Sequence, residues 1–216
     1  MKILCFIQYE DNTINGVSKE ALSLAQELSE KVNGELSLLT FNEAAAEELK
    51  QYSVNEILLV NDSNLNDYNP LYYTSAVEKI ITNHSFDLLL MGHTYQARDW
   101  VPRLSARCDI PFISDCIDYS FDSDIQWIRS LYRAKINCQI KATSSKSIIS
   151  VQSGCFKADN LKSGNSSINK LDIDLSEVNK TIIPGEKFKE SGSQVDLTSS
   201  DVIVSIGRGI AKEENI

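Results

Sequence analysis

The chain has 216 residues, 42% of them hydrophobic and 24% charged, which is apolar material enough to fill a globular core. A net charge of -9 argues against a phosphate backbone as partner. Apolar runs such as DLLLMG are far too short to span a bilayer.

The opening MKILCFIQYE has one lysine and no cleavage-site pattern, and reads as a first strand rather than a signal peptide. SKEALSLAQELSEKV has helical period, with Ala21, Ala25, Leu28 and Val32 on one face. Ser18 is its expected N-cap, and Gly34 ends it. ELSLLTF is the next strand, NEAAAEELKQYS a helix capped by Asn42, and NEILLV a third strand. PLYYTSAVEKIITNHS is a helix with proline at its start, and FDLLLMG a fourth strand. In YQARDWVPRLSARC, Pro102 belongs in a first turn, so the helix is expected to begin nearer Asp99 than Tyr95.

This alternation predicts an α/β fold, with a mostly parallel sheet between two helical layers. After Pro111 the period becomes two. QWIRSLYRAKINCQIKA reads as one long strand, with Arg129, Arg133 and Lys135 on its exposed face as a candidate basic docking stripe. SKSIISVQSG is expected as its antiparallel neighbour. ADNLKSGNSSINK reads as a loop, and LDIDLSEVNKTIIPGEKFKESGSQVDL as an edge strand and linker. The expected division is a scaffold domain over 1–192 and a further segment over 193–216.

The five cysteines have no CxxC spacing, which suits reduced thiols in a cytoplasmic protein. His84 and His93 have no metal-ligand spacing. His93 follows the fourth strand, where parallel sheets bind ligands, and a hydrolase reading would pair it with Thr94 or Ser114. A pyrophosphatase-type phosphate loop after the first strand is absent, because YEDNTING lacks consecutive small residues. A universal-stress-like nucleotide binder would need spaced glycines after the fourth strand, where only Gly92 stands. At the other end, VIVSIGRG carries a glycine–arginine–glycine turn after an apolar run, a weak nucleotide signal by itself.

Two stretches together are specific. GHTYQARDWVPRLSARCDIPFISD and VDLTSSDVIVSIGRG are similar to motifs of the electron transfer flavoprotein α subunit, and the opening KILCFIQYEDNTINGVSKEALSLAQEL resembles that family's first strand and helix. The resemblance implies an adenine-nucleotide-hydrolase-like N-terminal domain, three-layered and extended by antiparallel strands, that binds no nucleotide itself. It further implies an electron carrier rather than an enzyme, with no catalytic residue in this part. FAD is implied in a following domain, AMP in a β subunit that completes the heterodimer, and dehydrogenases and a quinone oxidoreductase as redox partners. On that resemblance Arg208, flanked by Gly207 and Gly209, is a FAD contact of the full subunit. Ile206 departs from the glycine usual there. The chain would then be a piece that ends as its FAD domain begins. A stand-alone universal-stress-like nucleotide-binding protein is the alternative.

Overall fold

The computed structural model describes residues 1–185 and 202–210. It divides into two compact units, Met1–Pro184 and Gly185–Ile216. The boundary expected at 192/193 lies outside the described residues.

In the first unit, β1 (Lys2–Phe6) leads through a small hairpin, β2 (Tyr9–Glu10) and β3 (Thr13–Ile14), into α1 (Gly16–Lys31). β4 (Glu35–Thr40), α2 (Glu43–Leu49), β5 (Glu56–Val60), α3 (Pro70–Asn83), β6 (Leu88–Gly92) and α4 (Tyr95–Cys108) follow. Then come β7 (Phe112–Phe121), β8 (Ile125–Leu131), β9 (Ile136–Ile140), β10 (Ser147–Val151) and β11 (Ile168–Leu171). The main sheet has nine strands in the order β11-β5-β4-β1-β6-β10-β7-β8-β9. Every neighbour pair from β11 to β7 is parallel, while β7–β8 and β8–β9 are antiparallel.

Alternate side chains of the buried strands feed two cores. Ile3, Cys5, Leu38, Ile57, Leu90 and Ile149 pack against α1 and α2. Leu4, Phe6, Leu39, Leu58, Met91 and Ile148 pack against α3 and α4. These strands are apolar on both faces because helices cover both. The expected α/β three-layer fold, with its mostly parallel sheet and antiparallel extension, is the one observed.

Several local expectations are corrected. Asn15, not Ser18, caps α1: its side chain accepts from the Val17 N–H at 3.1 Å. Ser18 is buried in the first turn and its hydroxyl accepts from the Gln8 N–H instead, tying α1 to the end of β1. Asn42 caps α2 as expected. α4 begins at Tyr95, well before Asp99, because Thr94 supplies the cap, with its hydroxyl accepting from Ala97 N–H at 3.0 Å. Pro102 therefore sits inside the helix, exposed, while Trp100, Val101 and Leu104 anchor the turn in the core.

The long strand read from QWIRSLYRAKINCQIKA is two strands. Tyr132, Arg133 and Ala134 all take positive φ (52°, 59° and 61°), which reverses the chain between β8 and β9. Period two persists across the break, so alternation alone does not reveal the turn. The segment SKSIISVQSG is also placed differently. As β10 it lies between β6 and β7, parallel to both, because its Ile148, Ile149 and Val151 are buried on both faces.

Candidate functional site

The strand order runs outward from β1 in one direction, then restarts with β6 on its other side. Open α/β sheets bind ligands at such a reversal, beyond the carboxyl ends of the strands. A cleft of about 880 Å³ opens there, lined by residues that include Gln8, His93, Arg98, Asp115, Arg129 and Gln152.

Its floor is a hydrogen-bonded bridge between the two strand ends. The Thr94 hydroxyl donates to Gln8 Oε1 at 2.7 Å, and Gln8 Nε2 donates to Glu10 Oε2 at 2.8 Å. Gly92 lets α1 come close: a Cβ at that position would stand 2.4 Å from Val17 Cγ1. β6 and α1 meet there with no room for a side chain.

His93 leans on β10. Its backbone N–H donates to Val151 O at 2.8 Å, and its Nδ1 lies 2.8 Å from the Ser150 hydroxyl. Ser150 has no exposed surface and also accepts from the Asp115 N–H at 3.1 Å. Asp115 itself has φ 60°, at an irregularity in the β10–β7 ladder. Its carboxylate is 4.0 Å from His93 Nε2, beyond hydrogen-bond distance. Burial lowers the pKa of His93 first, and Arg98 and Arg129 lower it further, against the opposing pull of Asp115. Burial and the two arginines thus favour the neutral ring.

Arg129 is the residue that sequence reading assigned to the wrong surface. It lines the cleft, while Arg133 and Lys135 stand exposed in and beside the β8–β9 turn. The expected stripe is thus broken up by the hairpin. Arg129 Nε is buried and has no hydrogen-bond partner among the described residues. Burying an N–H without an acceptor costs about 1–3 kcal/mol. Next to it, burial pushes the Cys116 thiol up to about 12, so that sulfur is inert at neutral pH.

Neither hydroxyl that the hydrolase reading pairs with His93 is placed to act with it. Thr94 is committed as a helix cap and to Gln8. The hydroxyl that meets His93 is that of Ser150, which is sealed from solvent, and not that of Ser114. Nor does the cleft have a phosphate cradle. The loop after β1 forms the β2–β3 hairpin, which brings the Glu10 carboxylate to the rim.

Gly207, Arg208 and Gly209 belong to the second unit, where Arg208–Ile210 forms a 3-10 turn closed by Ile210 N–H to Gly207 O at 3.1 Å. Among the described residues, nothing lies within 4 Å of where a Cβ would stand on either glycine. The Arg208 side chain lies outside the described residues. Among the described residues no cluster of His, Cys, Asp and Glu could hold a metal ion.

A family model described as the electron transfer flavoprotein domain matches residues 3–176. The electron transfer flavoprotein subunit alpha of Bacillus subtilis is 27% identical over 220 residues, covering 99% of this chain and 66% of that protein. The protein FixB of Clostridium saccharobutylicum is 24% identical, covering 97% of this chain and 65% of its own length. The lactate dehydrogenase (NAD(+),ferredoxin) subunit LctC of Acetobacterium woodii is 22% identical, with 99% and 53% covered. The chain thus spans roughly two thirds or less of each of these relatives.

Proposed function

The chain belongs to the electron transfer flavoprotein domain family, and we propose that it is the α-subunit scaffold of a heterodimeric electron carrier. Its work is to dock a β subunit and to support the segment that helps hold the flavin. Electrons would pass from dehydrogenases, acyl-CoA dehydrogenases among them, to a quinone oxidoreductase or a similar acceptor. FAD, when bound, supplies the redox chemistry, and the protein supplies binding, orientation and electrostatics. Gly207, Arg208 and Gly209 are the residues proposed to meet FAD, and AMP is assigned to the β subunit. The cytoplasmic setting is proposed from the free thiols of Cys5, Cys108, Cys116, Cys138 and Cys155.

One observation carries the docking part of this reading. Arg129 places a guanidinium, a group of five N–H donors, in the lining of a cleft at the switch point. Such a donor fits a partner that brings its own acceptor. The stand-alone nucleotide-binding alternative is weaker, because the Glu10 carboxylate lines the same cleft and would repel phosphates.

Calorimetric titration of this chain with the purified β subunit tests the proposal. A one-to-one complex, weakened at least tenfold by Arg129→Ala, is expected. No complex, together with tight stoichiometric binding of ATP by the chain alone, would establish the alternative.

A further inference from the structure

Ser150 has one proton and two contacts. It accepts the Asp115 N–H at 3.1 Å, and its other contact is His93 Nδ1 at 2.8 Å. With no surface exposed, its own O–H has a partner only if it donates to Nδ1. Nδ1 is then an acceptor, and a neutral ring carries its proton on Nε2. That nitrogen has no hydrogen-bond partner among the described residues, with Asp115 Oδ1 at 4.0 Å, and His93 lines the cleft.

We propose that Ser150 locks His93 as the neutral Nε2–H tautomer, a fixed hydrogen-bond donor beside Arg129 for an acceptor atom presented in the cleft. His93 is thereby a positioning residue and not a base, since its lone pair is already taken by a buried hydroxyl. The donor pair selects a group with adjacent acceptors, such as a carbonyl or phosphoryl edge carried by the second subunit. In that respect the inference rests on the heterodimer reading above.

The charged groups around the ring agree. Asp115 faces it from β7, Arg129 from β8 and Arg98 from α4, while Glu10 lines the same cleft from β2. Protonating His93 would put a third cation beside the two arginines. It would also force the Ser150 proton away from Nδ1, the acceptor it has among the described residues.

Two measurements test this. The first is nitrogen-15 NMR of the imidazole in the 216-residue chain. The proton is expected on Nε2, with Nδ1 bare and hydrogen-bonded, and with titration below the ordinary imidazole value of about 6.5. Ser150→Ala should let the Nδ1–H form appear. A wild-type ring that carries its proton on Nδ1, or exchanges freely between forms, overturns the proposal whatever the chain's partner is. The second is affinity for the β subunit. His93→Ala should weaken it about tenfold, the size of one hydrogen bond, and His93→Gln, which keeps an N–H near the Nε2 position, should restore it. Full affinity in His93→Ala overturns the donor role while leaving the heterodimer reading intact. Absence of any complex removes that reading and the donor role with it.

Discussion

Arg129 is a residue whose burial works against the isolated chain. Its Nε is removed from water without gaining an acceptor among the described residues. Replacing it with methionine keeps the stem and removes the unmet N–H. Arg129→Met is therefore expected to stabilise the isolated chain by about 1 kcal/mol in urea unfolding, while weakening β-subunit binding. A destabilised variant would mean the guanidinium is satisfied within the chain. His93 sets the pH response of the same cleft. Its folded pKa lies below the unfolded value, so the unfolded state takes up the proton first. Stability is fully present above about pH 6.5 and falls as pH drops through the folded value. His93→Gln should flatten that part of the stability–pH curve, and an unchanged curve would show that other groups set it. Neither role was legible in sequence. Alternation placed Arg129 with Arg133 and Lys135, and nothing in the chain marks Ser150 as the partner of His93, fifty-seven residues away.

Among the elements, α4 is the one whose sequence works against its own regularity. An interior proline removes one backbone hydrogen bond and crowds the preceding turn, at a cost near 3 kcal/mol relative to alanine in a free helix. The cost is tolerated because Trp100, Val101 and Leu104 are fully buried around it. Pro102 is exposed, so Pro102→Ala should raise stability by about 1–2 kcal/mol after allowing for the more flexible unfolded chain. A lower thermal midpoint would show that the ring packs against something that matters. The β8–β9 turn makes the opposite point. Tyr132, Arg133 and Ala134 sit at positive φ with no glycine among them. Left-handed conformation costs residues with a Cβ about 1 kcal/mol, so Ala134→Gly should gain roughly 0.5–1 kcal/mol. The absence of any gain in chemical denaturation would mean that the turn relaxes in solution. Strand and helix types in the first half were legible from period, caps and punctuation. The hairpin was not, because period two is the same on both sides of a turn that lacks glycine.

At the scale of the whole molecule, the two cores make the sheet the structural centre. Leu38 is fully buried in the core beneath α1 and α2, and Trp100 in the one beneath α3 and α4. Leu38→Ala should cost about 2–5 kcal/mol and Trp100→Ala about 3–5 kcal/mol, read from denaturant midpoints. Much smaller losses would mean that these cores are loosely packed. The sequence by itself determined that the chain is an α/β protein. Its apolar runs must be buried on both faces, and each βα unit specifies its own local conformation through neighbours a few residues apart. Family membership was legible too, through GHTYQARDWVPRLSARC and VIVSIGRG. Tertiary structure alone decided which strands lie side by side. β10 enters between β6 and β7 because that slot buries Ile148, Ile149 and Val151 on both faces, an energy that depends on neighbours distant in the chain. That insertion brings Ser150 beneath His93, and the pairing of β8 with β7 sets Arg129 opposite Cys116, in the lining of the same cleft. The cleft is made of contacts between segments that have no local correlation in sequence, which is why no local pattern could announce it.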